Sequence, residues 1–210
     1  MSIRLHRGDL VDLARYTPDK APFVAIDTET LGLKPHRDRL CVVQLSPGDG
    51  TADVVQIPAG AGPGSAPNLE SLLTDPRSVK LFHYARFDVA VLGKTFDLTV
   101  SPVWCTKIAS RLTRTYTDRH GLKELVRELL GIDLSKQQQS SDWAAEELSD
   151  AQLHYAASDV LHLHALQARL AAMLAREGRG ELAQACFEFL PTRAKLDLAG
   201  WPDEDIFAHM

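Results

Sequence analysis

The 210-residue sequence predicts an α/β fold, a mixed sheet flanked by helices, in one domain spanning residues 1–210. Three observations predict it. Three β-rich runs follow one another early, Phe23 to Thr30, Leu40 to Ser46 and Ala52 to Ile57. The last two are joined by Pro47-Gly48-Asp49-Gly50, a strong hairpin signal. Helical and strand patterns then alternate, giving the order β-β-β-α-β-α, and a helical stripe begins at Ser149.

Residues 1 to 22 carry a short apolar stretch (Leu5, Leu10, Val11, Leu13) and read as an edge strand or a short helix. The first of the three runs is apolar from Phe23 to Ile26 and ends in Asp27, Thr28 and Glu29. A Leu31-Gly32-Leu33 turn and a charged loop follow. Pro58 to Asn68 is rich in Pro, Gly and Ala and reads as a loop before a short helix from Asn68 to Leu73. Val79 to His83 is expected as a fourth strand and Asp88 to Phe96 as the next helix, with Asp88 at its start. Val103 to Cys105 is a fifth strand, and a helix follows near Thr106 to Leu112. Leucines at 122, 125, 129 and 130 before Gly131 predict an amphipathic helix. Gln137 to Ser141 is a polar loop. Ser149 with Gln152 opens a capping box for one long helix to about Glu177, with Leu153, Ala156, Val160, Leu163, Leu166, Leu170 and Met173 on its apolar stripe. The tail from Cys186 to Met210 has no assigned element, and its Phe187, Phe189, Leu190, Trp201, Ile206 and Phe207 need a surface to bury them.

With 45% hydrophobic and 24% charged residues the composition is globular. No apolar run approaches membrane-spanning length, and the first residues lack the basic start and apolar centre of a signal peptide, so a cytoplasmic protein without membrane contact is expected. Cys41, Cys105 and Cys186 are odd in number and lack a C-x-x-C pair, which fits reduced thiols. A net charge of −5 is unusual for a polymer-binding surface. It is less unusual if four of the acids form a site, because the remaining surface is then nearly neutral and suits a small phosphorylated substrate.

Asp27 and Glu29 are two apart in a predicted strand, so both side chains point to one face, and their oxygens can share a cation. Oxygen-only ligands favour hard ions such as Mg²⁺ or Mn²⁺. Asp88 follows an apolar strand and a short turn. Tyr155 and Asp159 are four apart on one helix face, with Asp159 among Ala156, Ala157, Val160 and Leu161, where a charge is costly unless paired or metal-bound. His154, His162 and His164 have neither an H-E-x-x-H pattern nor a Cys partner and are expected not to be ligands.

Asp27-Thr28-Glu29, the aspartate of Phe87-Asp88 and Tyr155-x-x-x-Asp159, in that order and spacing, resemble the motifs of the DEDD exonucleases of the tyrosine subtype, the group that includes ribonuclease D. The likeness covers roughly residues 20 to 175 and implies their ribonuclease H-like fold. Arg37 to Ile57, Thr106 to Lys123 and Ser135 to Trp143, with the overall length, are similar to the nano-RNase C family, bacterial enzymes that degrade very short RNAs.

The resemblance implies a metal-dependent 3′-to-5′ exoribonuclease that converts very short RNA, especially diribonucleotides, to nucleoside 5′-monophosphates with two divalent cations. By carry-over, Asp27, Glu29 and Asp159 hold the first ion, Asp27 bridges to the second, Asp88 supports the second, and Tyr155 orients the attacking water. Thr28, Leu31 as a wedge between two bases, His83, and the basic residues Lys107, Arg111 and Arg114 are candidate substrate contacts. The chain is expected to lack an accessory nucleic-acid-binding domain, and its tail to help build a homo-oligomer, an octamer on the family's pattern. The main alternative is a ribonuclease D-like exonuclease on longer single-stranded RNA or DNA. Two others are a non-catalytic nucleic-acid-binding scaffold, which would be expected to lack one or more of the metal ligands, and a metal-dependent phosphatase or nucleotide-processing enzyme using the same acids on mononucleotides.

Overall fold

The structure, a computed structural model, describes residues 2–134, 138 and 140–209. Ser135, Lys136, Gln137 and Gln139, which fall in the predicted polar loop and in the 135–143 stretch, lie outside the described residues.

Six strands form one mixed sheet in the order β1-β4-β3-β2-β5-β6. They are β1 Ser2–Arg7, β2 Phe23–Thr30, β3 Leu40–Ser46, β4 Thr51–Gln56, β5 Val79–Phe82 and β6 Val103–Cys105. The three early strands form the antiparallel centre, with β2 against β3 and β3 against β4. β1, β5 and β6 extend it by parallel pairing with β4, β2 and β5 respectively. β3 is buried along its whole length, as expected of a strand covered on both faces.

The first segment resolves to an edge strand rather than a helix, and it is tied down by a buried carboxylate. Asp53, 3% exposed on β4, accepts from Arg4 (2.8 Å), His6 (2.8 Å), Arg15 (2.7 Å) and Tyr16 (2.6 Å). The loop after β1 is thereby bound to the strand beside it.

The helices are α1 Pro67–Thr74, α2 Ala85–Phe96, α3 Thr106–Thr113, α4 Leu122–Leu130, α5 Asp150–Leu161, α6 Leu163–Arg176 and α7 Gly180–Ala199. They depart from expectation in three places. α2 begins three residues before Asp88, because Tyr84 takes a left-handed turn (φ 71°) and passes the chain from strand to helix in one step. Asp88 lies within the first turn, with its side chain turned toward β2 instead of capping the helix.

The single long helix expected from Ser149 is two helices broken at His162 (φ −101°, ψ −6°). The capping box at Ser149 forms as predicted. The break has a packing reason: α5 lies across β2, β3 and β4, whereas α6 packs against α3, α4 and α7. One straight helix could not cover both surfaces.

The third departure is α7, which takes up most of the supposed tail. Ala183, Phe187, Leu190 and Ala194 form a buried stripe at helical spacing. Pro191 within it obscures the pattern, since proline removes a backbone donor and usually ends a helix. Phe187 and Leu190 are therefore buried in their own domain, against α2 and β6. Phe189, Trp201, Ile206 and Phe207 remain exposed. Cys41 and Cys105 are buried and Cys186 is partly so, all as free thiols. Among the described residues no helix is long and apolar enough to cross a membrane.

Candidate active site

The acids meet where β2 passes beneath α5. Strand alternation puts Asp27 and Glu29 on the face that α5 covers, and Asp159 comes down from that helix. One carboxylate oxygen from each of the three lies within 4.8 Å of the others. Asp88 stands outside this trio. It is 3% exposed and accepts a 2.6 Å hydrogen bond from Thr28 Oγ1.

Burial and mutual repulsion govern this cluster. Loss of solvent raises Asp27 from 3.8 to about 7, against the lowering effect of the Thr28 backbone and the Gln44 amide. Glu29 rises to about 10, through burial first and then the charges of Asp27, Asp159 and Asp88. Asp159 rises to about 8 by burial and Asp27, opposed by a hydrogen bond from Tyr155. Asp88 is pushed well above the ordinary carboxylate range by burial and Asp27. Among the described residues no Lys, Arg or His forms an ion pair with any of the four. Convergent oxygens with no cation of the protein's own suit a hard divalent ion, so the residues fit the metal that the motifs imply.

Tyr155 lies one turn before Asp159. Burial and the nearby charges of Asp159, Glu29 and Asp27 raise its pKa, so the phenol keeps its proton. Its ring packs 6.0 Å from that of Trp143, which is 3% exposed.

Asp27, Glu29, Asp159 and Tyr155 line a cavity of about 370 Å³, shared with Thr28, Leu33, His83, Tyr84, Phe87, Lys107, Leu134 and the start of α4; Asp88 lies behind its wall. His83 is held near pKa 3 by burial and by Lys107, and is neutral. His83 Nδ1 lies 2.8 Å from Thr106 Oγ1, whose hydroxyl also contacts the Phe82 carbonyl at 3.1 Å. Lys107 Nζ sits 4.2 Å from the centre of the Tyr84 ring. Both residues also line an adjoining cavity of about 300 Å³ with Arg111 and Phe189.

The candidate substrate contacts thus separate. Thr28, His83 and Lys107 line the acid cavity, and Arg111 lines its neighbour. Arg114 does not fit the expectation. It is 0% exposed, pairs with Glu128, and donates to Ser110 Oγ (3.0 Å) and the Arg119 carbonyl (2.7 Å), which leaves it as a brace for the loop before α4. Leu31 is 56% exposed but off the cavity wall, where Leu33, 88% exposed, stands instead. His154 Nδ1 contacts the Asp150 carbonyl and His164 Nε2 that of Phe23, both away from the acids. Gln44 was not singled out in the sequence, although it faces Asp27 across the strand pair and donates to its Oδ2 at 2.6 Å. Its signal was the β2–β3 register, which cannot be counted across a nine-residue loop without the structure.

Comparison with known proteins shows the family. Residues 9–175 match the 3′-5′ exonuclease family model. Ribonuclease D of Gluconacetobacter diazotrophicus is 37% identical over 160 residues, covering 76% of this chain and 40% of that protein. The chain spans about 40% of the length of the curated relatives it matches first. The structure of Brucella melitensis NrnC, nano-RNase C, with bound Mg²⁺ superposes with a TM-score of 0.94 at 62% identity and covers both chains completely. NrnC bound to pGG gives 0.95 at 63%, again over both full chains. Escherichia coli RNase D shares the fold, at a TM-score of 0.78 over 93% of this chain and 51% of that one. Three converging acids, a fourth held by its own hydroxyl donor and a protonated tyrosine above them thus sit on a backbone that this group shares, and the chain belongs to the 3′-5′ exonuclease family, alongside the NrnC proteins.

Proposed function

We propose that the chain is a metal-dependent 3′-to-5′ exoribonuclease that hydrolyses very short RNA, above all diribonucleotides, to nucleoside 5′-monophosphates. The convergence of Asp27, Glu29 and Asp159 within 4.8 Å, on the wall of a cavity, carries this reading. These three would hold one divalent cation, Mg²⁺ or Mn²⁺, with Asp27 shared with a second that Asp88 supports. Such a pair of ions stabilises charge on the attacking and leaving oxygens of an in-line displacement.

The chain's own groups do the rest. Tyr155, protonated and bonded to Asp159, is placed to orient the attacking water; its raised pKa argues against its acting as the base. Lys107 supplies positive charge at the rim, and the Tyr84 and Phe87 rings offer faces on which a base can stack. His83 is neutral and can hydrogen-bond to a phosphate or sugar only as an uncharged group. Thr28, taken from sequence as a substrate contact, is better read as the donor that holds Asp88.

A cavity of about 370 Å³ and the likeness to a protein solved with pGG support the dinucleotide reading. The same reading places the enzyme in the cytoplasm, where short RNA fragments arise, and residues 1–210 act as one catalytic domain. The exposed Phe189, Trp201, Ile206 and Phe207 support a homo-oligomer, an octamer on the family resemblance. A chain truncated after Gly200 keeps α7 whole. If light scattering finds it the same size as the full chain, the role of residues 201–210 in assembly is refuted. The second reading, trimming of longer RNA or DNA, is favoured by the identity with ribonuclease D. Initial rates on 5′-labelled RNAs of about two to seven nucleotides, with matched DNAs, in Mg²⁺ and in Mn²⁺, separate the two, with Asp27→Ala as the blank. A sharp preference for the dimer is expected. Rates level or rising with length would replace it with the trimming reading.

A further inference from the structure

Gln44 sits in the middle of β3, opposite Asp27 on one side and Val54 on the other. It is 0% exposed, between Val43 and Leu45, which are equally buried. An amide is costly there unless its groups are bonded, and packing alone would be served by another aliphatic residue. Nε2 donates to Asp27 Oδ2 at 2.6 Å, short even for a bond to a charged acceptor. Oε1 is one of three buried side-chain atoms without a partner among the described residues. The bond to Asp27 is thus the one this side chain makes among them.

We propose that Gln44 is a positioning residue for cation binding: its amide fixes the rotation of the Asp27 carboxylate and so the direction in which its remaining lone pairs face Glu29 and Asp159. The inference rests on the cation-dependent reading above and deepens it. A lysine or arginine in the same place would also hold Asp27 but would cancel the charge that a cation needs. A neutral donor holds the geometry and leaves the charge. Thr28 does the same for Asp88, with a hydroxyl at 2.6 Å. Each of the two acids therefore has one uncharged side-chain donor from β2 or β3, besides backbone N–H groups.

The test compares Gln44→Met, which keeps the length but removes the donor, with Val54→Ala, which removes packing from the adjacent strand position. Mn²⁺ binding to chelator-stripped full-length protein is measured by calorimetry, and melting temperature is recorded for each. Gln44→Met is expected to bind Mn²⁺ roughly 10- to 100-fold more weakly. Val54→Ala is expected to melt lower and to bind Mn²⁺ within about twofold of wild type, since a purely structural loss moves stability alone. Should Gln44→Met fail to fold, Gln44→Asn, whose shorter side chain draws the donor out of reach, gives the same readout. Affinity within twofold of wild type in the Gln44 variant, or an equal loss in Val54→Ala, overturns the inference. A wild-type protein that binds Mn²⁺ but cleaves no RNA would sink the functional reading while leaving the Gln44 comparison intact. One that binds no Mn²⁺ overturns both.

Discussion

Replacing Asp27 with asparagine is expected to abolish hydrolysis and yet stabilise the metal-free protein at neutral pH and above. In the folded chain Asp27 titrates near 7 rather than 3.8, chiefly because it is buried. The folded state therefore binds this proton more tightly than the unfolded state. Stability is full below about pH 4 and is lost as pH rises from 3.8 through 7. The rise corresponds to about 4 kcal/mol for this group at pH 8. Asparagine removes that cost and keeps the shape, and the Gln44 bond to the ionised carboxylate is already contained in that figure. The net expectation is a gain of about 4 kcal/mol at pH 8 and little near pH 4. Urea unfolding in excess chelator at both pH values measures it. Saturating Mn²⁺ should reverse the order, because a ligand bound only by the folded wild type stabilises it by mass action. An Asp27→Asn protein less stable than wild type at pH 8 in chelator would refute the view that these acids oppose folding when unneutralised.

Three further outcomes follow from the same geometry. Tyr155→Phe should lower kcat by about 100-fold while calorimetric Mn²⁺ affinity stays within twofold, because the phenol lies beside the acids without being one of them. Thr28→Val removes the hydroxyl that Asp88 accepts and should raise the Mn²⁺ concentration for half-maximal rate roughly tenfold or more; an unchanged metal titration would show that the bond is idle. Asp53→Asn, on the opposite face of the sheet from Asp27, should cost about 3 kcal/mol in urea unfolding, because Arg4, Arg15 and buried Tyr16 all lose a charged acceptor, while kcat per folded molecule is unchanged.

The strands of the central sheet could be read from the sequence because their signals are local: apolar runs of strand length, with Pro47 to Gly50 as the turn. The acids stood out for a related reason, since Asp27 and Glu29 interrupt a buried strand and Asp159 interrupts an apolar helix face. What escaped depends on contacts distant in sequence. The break at His162 comes from two different surfaces beneath one apparent helix. Helix α7 was hidden by Pro191, whose local penalty is outweighed by burial of Phe187 and Leu190. Arg114 looked like a surface cation in a basic stretch, and only Glu128, fourteen residues on, shows why it is buried. Gln44 was invisible for the same reason, being defined by its strand partner.

The packing of α7 on α2 also bears on how the protein is made. Asp88 lies in the first turn of α2, and two residues before it Arg86 is clamped by Asp197 at the far end of α7, at 2.5 and 2.7 Å. As the chain leaves the ribosome, the sheet and its acids emerge well before residues 180–199. Until that segment arrives, the face of α2 that packs against α7 has no cover, and α2 is held chiefly by the sheet. A nascent chain held short of residue 180 would therefore expose that face of α2 and leave Arg86 without Asp197.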